Sequence, residues 1–114
     1  MKDHEVMRAA VQVLLGITAQ AETIAKTGQN LSDVKIETGI PGGAHADWCI
    51  WVERIKQVNK EHGFGYDSLL ESAGNFEIGN WSELSAKCRM LLPIVKQIRN
   101  KLEPPLPKAK PFRI

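Results

Sequence analysis

Residues 3–26, DHEVMRAAVQVLLGITAQAETIAK, contain the clearest helical pattern in the chain. Apolar side chains recur there at steps of three and four residues, the period of one helix face. The stripe consists of Val6, Ala10, Val13, Leu14, Ile17, Ala21 and Ile24. Asp3 is a suitable N-cap, and Gly28 suits the left-handed residue that closes a helix. We therefore predict a long helix with one buried face.

A second apolar seam begins near Asn80, which has capping-box spacing to Glu83. Its members are separated by alternating steps of four and three residues, as in a heptad repeat. They are Leu84, Cys88, Leu91, Val95, Ile98 and Leu102. Several prolines follow this helix and forbid its continuation. We therefore divide the chain into a helical domain, residues 1–103, and an extended or disordered Pro/Lys-rich basic tail, residues 104–114.

The middle of the chain predicts a third long helix and a short one. The long helix covers residues 44–62 and stops at Gly63. Trp48 and Trp51 lie on its apolar face, and each aromatic side chain can bury about 150–250 Å². The short helix covers residues 67–73. Three long amphipathic helices bury their stripes most simply in an antiparallel bundle, so the predicted fold is mainly α.

Two short stretches follow a different pattern. Residues 34–40 alternate between apolar and polar side chains, and so do residues 76–81. A period of two is typical of strands, so the two stretches could pair as a minor two-stranded ribbon. Such a ribbon would be marginal unless it packs on the helices.

Composition indicates an ordinary globular protein. Hydrophobic residues make up 43% of the chain and charged residues 25%, which indicates neither disorder nor a fibrous structure. No apolar run approaches the length of about 18 residues that a membrane span needs, and the first residues lack the apolar core of a signal peptide. We therefore expect a cytoplasmic protein. Cys49 and Cys88 have apolar neighbours and are interpreted as reduced core thiols rather than as a disulfide.

The small net charge of +2 hides an asymmetry along the chain. Residues 1–86 carry 7 Lys/Arg against 12 Asp/Glu, a net charge of −5, whereas residues 87–114 carry 8 against 1, a net charge of +7. An acidic body with a basic end can self-associate, contact an acidic partner or approach nucleic acid.

The stretch that most resembles a chemical site is GIPGGAHADWCIW, residues 39–51. Paired glycines at a helix start can present backbone N–H groups to an anion, but no phosphate-loop motif is present, which favours a turn. His45, Cys49 and Glu53 lie along one helix edge, and His with Cys at this spacing can share a metal. A structural zinc site needs four ligands, and no second matching pair is found. We therefore expect neither a metal nor a cofactor.

Catalytic motifs are also missing from the sequence. There is no G-x-S-x-G nucleophile motif, and the acidic pairs have no partner cluster that would hold magnesium. We therefore expect that the protein is not an enzyme.

Two pairs of apolar residues lie outside the predicted stripes, and Ile50 is similarly placed on the polar face of the second long helix. Val11 and Leu15 form an i, i+4 pair on the first helix, and Met90 and Ile94 form such a pair on the last. If these faces converge, they form a patch typical of association surfaces. If the short helix, the ribbon or the tail covers them, they belong to the core. Both alternatives remain open from the sequence.

The leading hypothesis is a small helical interaction module that acts as an adaptor, inhibitor or regulator of a protein partner, or as a homodimer. Small size and the lack of a catalytic motif also suit a phage or mobile-element product. The expected anchors are the four apolar residues above, with Lys87, Arg89, Lys96 and Arg99 providing charge complementarity.

The alternative is a nucleic-acid-associated protein that uses the basic last helix and the tail. Its phosphate-binding residues would be Lys96, Arg99, Lys101, Lys108, Lys110 and Arg113. Cations are also favoured near the C-terminus of any helix by its dipole, so their presence alone does not indicate a ligand.

Overall fold

The apolar patterns of the sequence become helices at the predicted places. The computed structural model describes residues 2–74 and 78–103, and within these two ranges the chain forms four helices and no strand. They are α1 (Asp3–Lys26), α2 (Ala44–His62), α3 (Asp67–Ala73) and α4 (Trp81–Leu102). The prediction of a mainly α fold is confirmed. The predicted tail lies outside the described residues.

The helix ends follow from local sequence, with one exception. Gly28 and Gly63 adopt the left-handed conformation after α1 and α2, with φ of 85° and 64°, as predicted. At the start of α1, however, Lys2 occupies the N-cap position without a side-chain hydrogen bond. The prediction that Asp3 caps this helix is wrong, because its carboxylate is engaged by His62, with Nε2 2.7 Å from Oδ2.

The start of α4 has the predicted capping box. The Glu83 N–H donates to Asn80 Oδ1 at 2.9 Å, and the Gly79 N–H donates to the Glu83 carboxylate at 2.7 Å. The first bond satisfies a backbone donor that the first helical turn leaves without a partner, and the second ties the residue before the N-cap to that turn. They fix where α4 begins and therefore which of its side chains face the core.

The predicted ribbon is reduced to one contact. An isolated antiparallel bridge joins Lys35 to Asn80, and the Ile36 N–H donates to the Gly79 carbonyl at 3.1 Å. The described residues form no strand around this bridge, although residues 78–81 of the second predicted stretch are described. Residues 76 and 77 of that stretch lie outside the described residues. The bridge holds the chain between α1 and α2 against the start of α4.

The centre of the fold is the antiparallel pair of α1 and α4. Arg8, near the start of α1, contacts Glu103 just after α4, and Trp81 at the start of α4 lines a cleft with Ile24 near the end of α1. Helix α2 is also antiparallel to α1, because His62 at its end reaches Asp3. The heptad seam of α4 is buried as predicted, except that Leu102 is only partly buried.

Candidate partner-binding face

One side of the α1–α4 pair is occupied by α2 and α3, which are held together by a buried asparagine. Asn59 of α2 donates to Asp67 Oδ1 at 3.0 Å and accepts from the Tyr66 N–H at 3.1 Å. Helix α2 lies beside α1, and α3 lies beside α4. Because α2 and α3 also contact each other, both must lie on the same side of the pair, which we call the covered side.

Helix α3 and the residues just before it pack along one edge of α4. Lys87 Nζ donates to the Ser72 carbonyl at 2.8 Å, so the end of α3 lies next to the first half of α4. Further along, the Tyr66 hydroxyl donates to Gln97 Oε1 at 3.0 Å. Lys101 Nζ lies 5.0 Å from the centroid of the Tyr66 ring. Residues 64–73 therefore run along one edge of α4 over nearly its whole length.

This cover explains why Ile94 does not belong to a partner surface. Ile94 lies seven residues after Lys87 and seven before Lys101, and a seven-residue step returns to the same helix edge. Since residues 64–73 contact both lysines, they pass over Ile94, which is only 9% exposed. The expectation that Ile94 is an exposed anchor is wrong.

Val11 is buried for a related reason. Arg8, three residues earlier on the same edge of α1, donates from Nε to Glu103 Oε1 at 2.6 Å. This contact places the end of α4 against that edge, and Val11 is left 3% exposed. The core of α1 is therefore wider than the predicted stripe, and the placement of Val11 on a partner surface is also wrong.

Met90 and Leu15 remain exposed, at 48% and 41%, but they do not form one patch. Met90 lies three residues after Lys87 and eleven before Lys101, which places it near the edge of α4 along which α3 packs. Leu15 lies on the other side of the pair, as its position relative to Val6 shows. The predicted convergence of four apolar residues is therefore absent.

The opposite side of the pair is open among the described residues. Val6 borders α2, because it lines a cleft with Gln57 and Val58. Leu15 lies nine residues after Val6, and nine residues rotate a helix by about 180°. On α4, Lys96 lies nine residues after Lys87 and is likewise on the opposite edge. Both Leu15 and Lys96 face away from α2 and α3.

Leu92 joins these residues into one surface. It is partly buried against the core, and it lies three residues from Arg89, four from Lys96 and seven from Arg99, which places all four on one edge of α4. Because Arg8 is level with Glu103 in an antiparallel pair, Leu15 is level with about residue 96 of α4. We call Leu15, Arg89, Leu92, Lys96 and Arg99 the basic face.

The charges of the basic face are only partly neutralised. Arg89 and Lys96 are exposed and have no ion pair within residues 2–74 and 78–103. Arg99 is partly buried, and its Nε has no hydrogen-bond partner in the described part of the chain. At the end of the face, the hydrogen bond from Arg8 holds the pKa of the Glu103 carboxyl below its usual value. Glu103 therefore pairs with Arg8, whereas Arg89 and Lys96 have no carboxylate partner among the described residues.

The remaining basic residues do not extend this surface. Lys87 and Lys101 lie on the covered side, where they contact α3 and the aromatic rings before it. The predicted phosphate-binding residues Lys108, Lys110 and Arg113 lie outside the described residues. The described cations of α4 are thus divided between two sides of the helix.

The histidine–cysteine edge of α2 brings a thiol next to an imidazole. Cys49 Sγ lies 3.8 Å from both ring nitrogens of His45. Burial, and then the Glu53 carboxylate, raise the pKa of the Cys49 thiol, whereas a metal ligand or nucleophile needs the thiolate. Cys88 is also a free thiol, and burial raises its pKa to about 12. Nowhere in the described ranges do three or more His, Cys, Asp or Glu side chains gather as metal ligands.

An open cleft of about 420 Å³ lies beside Trp81. It is lined by Trp81 and by one face of the second half of α1, including Gly16, Gln20 and Ile24. None of the described residues that line the cleft is charged, so the cleft cannot distinguish partners by their charge. The basic face, in contrast, contains both apolar and charged side chains.

Sequence reasoning found Leu15, Arg89, Lys96 and Arg99 but missed Leu92. Leu92 directly follows the seam residue Leu91, so a heptad pattern alone assigns it to neither the core nor the surface. The available signal was its spacing of three, four and seven residues to the three cations.

The chain matches no known family model, no curated protein and no solved structure. Among the described residues, no helix has the length and apolar character needed to cross a membrane.

Proposed function

We propose that the protein is a small interaction module that presents the basic face to a protein partner and so acts as an adaptor, inhibitor or regulator. The observation that carries this proposal is the contrast between the two sides of the α1–α4 pair. One side is covered by α2 and α3, whereas the other leaves Leu15 exposed beside Arg89 and Lys96, which have no ion pair in residues 2–74 and 78–103.

Apolar side chains with flanking charges are suited to recognition. Partially exposed leucines supply the apolar area that drives association. Cations at the rim of such an area accelerate the encounter with an acidic partner and disfavour basic ones. Arginine is also enriched at interfaces relative to the rest of a protein surface.

The nucleic-acid alternative has weaker support. Lys87 and Lys101 are engaged on the covered side, so α4 does not present its cations as one stripe. The net charge of −5 on residues 1–86 also opposes the approach of a polyanion. We therefore place this function second.

The test of the proposal is a capture experiment from native lysate with three versions of the protein. These are the wild type, Leu15→Asp and the control Leu69→Asp. Leu69 lies on α3, away from the basic face, and is 55% exposed. Circular dichroism and thermal unfolding verify that all three are folded.

The expected result is a protein, or a second copy of this chain seen by light scattering, that binds the wild type and the Leu69 variant but not the Leu15 variant. Identical binding by all three versions would contradict the proposed function. Loss of binding in both variants would also count against it, because the effect would not be specific to the basic face.

A further inference from the structure

We propose that the partner segment that binds the basic face is an acidic amphipathic helix. Its apolar stripe would pack on Leu15 and Leu92, and its carboxylates would meet Arg89 and Lys96. This inference rests on the proposed function and names the chemistry of its partner.

The first argument is the distance between the free cations. Arg89 and Lys96 lie seven residues apart on one edge of α4, which at 1.5 Å per residue is about 10.5 Å along the helix axis. A partner helix lying along α4 repeats this distance between its own positions i and i+7, which also share one edge. Two carboxylates at that spacing can therefore meet both cations at once.

An extended partner does not match the same spacing. Residues on one face of a strand recur every second position, at about 6.6 Å and then about 13.2 Å. Neither distance equals the separation of Arg89 and Lys96. The backbone spacing of the cations therefore fits a helical partner better than an extended one.

The second argument is the shape of the apolar surface between the cations and α1. Leu15 lies about level with Leu92 and Lys96, on the neighbouring helix of an antiparallel pair. Two packed helices leave a groove between them, and the side-chain ridge of a third helix fits such a groove. The covered side of the same pair already accommodates α2 and α3.

The third argument is the sign and number of the charges. Arg89 and Lys96 are exposed, and two exposed cations are enough to orient a helix with two carboxylates. They would release only about two counterions from a nucleic acid, and affinity for a polyanion depends mainly on that release. Residues 1–86 carry a net charge of −5, which adds electrostatic repulsion toward phosphates. The balance favours a protein helix.

The test is fluorescence anisotropy with a labelled synthetic helix about three heptads long, with leucines at the a and d positions and glutamates at i and i+7 beside them. A second probe of the same length replaces those glutamates by lysines. A labelled single-stranded RNA is the third probe. Each is titrated with the full-length protein at low and at high salt.

Two double variants separate a local effect from net charge. Arg89→Glu with Lys96→Glu reverses the free cations of the basic face. Lys35→Glu with Lys60→Glu changes the net charge by the same amount at exposed positions elsewhere. Circular dichroism confirms that both variants fold.

The glutamate helix is expected to bind the wild type, and the Arg89/Lys96 reversal should weaken it by about ten-fold or more, while the Lys35/Lys60 control stays within about two-fold. The inference is overturned if both double variants weaken binding equally, if the lysine helix binds as well, or if the RNA binds more tightly than the glutamate helix.

This test and the capture experiment fail independently. If a Leu15-dependent partner is captured but the glutamate helix does not bind, the partner is of another kind, and only the inference about its chemistry fails. If no Leu15-dependent partner is found either, the proposed function fails as well.

Discussion

The two sides of the α1–α4 pair differ in how their polar groups are used. On the covered side, Lys87 donates to a carbonyl of α3, and Asn59 binds both the backbone and a carboxylate of the chain beside it. On the basic face, Arg89 and Lys96 have no ion pair among the described residues. The same helices therefore present bonded polar groups on one side and free charges on the other.

Position on the helix, rather than residue type, therefore decides which contacts a side chain of α4 makes. Lys87 and Lys96 are both lysines of α4. They lie nine residues apart, which places them on opposite edges of the helix. One holds α3 in place, and the other faces solvent.

Neighbouring leucines of α1 provide the most direct test of packing. Leu14 is fully buried, whereas Leu15 is largely exposed. Leu14→Ala should lower the free energy of unfolding by about 2–5 kcal/mol, because it removes buried methyl groups and leaves a cavity. Leu15→Ala should cost less than about 1 kcal/mol. Urea denaturation measures both, and equal losses would show that Leu15 is packed like its neighbour.

The buried asparagine tests how strongly the covered side is held. Asn59→Ala leaves the Tyr66 N–H without its acceptor, so the free energy of unfolding should fall by about 1–3 kcal/mol. The control is Gln57→Ala on the exposed side of α2, where the change should be within about 0.5 kcal/mol. If Asn59→Ala behaves like this control, the hydrogen bond between α2 and the chain before α3 contributes nothing to stability.

The pH dependence of stability tests the burial of Cys88 in the heptad seam of α4. Burial raises the pKa of the Cys88 thiol from 9.0 to about 12, so the folded state keeps a proton that the unfolded chain loses. Its contribution to stability is complete below pH 9.0 and declines as pH rises toward about 12. By pH 10 the loss should be about 1 kcal/mol.

Denaturation of the wild type and of Cys88→Ala between pH 8 and pH 10 measures this effect. Removing the thiol should flatten the decline relative to the wild type, whatever the absolute stability of the variant. An unchanged slope would indicate that the Cys88 thiol ionises as easily in the folded state as in the unfolded chain.

The smallest effect is expected for the free cations. Arg89→Ala combined with Lys96→Ala should change the free energy of unfolding by less than about 0.5 kcal/mol, because neither side chain has a described ion pair to lose. Thermal unfolding at low and at high salt is the measurement. A larger loss of stability would indicate that these cations stabilise the fold rather than serve a partner.

Much of the fold could be predicted because it depends on local rules. Periodic apolar residues marked all three long helices, Gly63 ended α2, and Asn80 with Glu83 marked the start of α4. Each of these signals acts within one or two helical turns, so the sequence around it is sufficient. The short helix α3 was found in the same way.

The candidate site was predicted only in part. Leu15, Arg89, Lys96 and Arg99 were named from their patterns and lie on one side of the pair. Four further residues were assigned to the same surface but lie in the core or on the covered side: Val11, Lys87, Met90 and Ile94. Their spacing within each helix was read correctly, but the position of the neighbouring helices was unknown.

Apolar periodicity, glycines and the capping box were enough to locate the four helices, and residue charges were enough to identify residues 87–114 as basic. Which edges of α1 and α4 are covered follows from the packing of the other elements. The physical reason is that periodicity places a side chain on a face of its own helix, while burial depends on which other element packs there. The Asn59 bonds and the path of residues 64–73 set that choice, and they leave Leu15, Arg89 and Lys96 facing solvent.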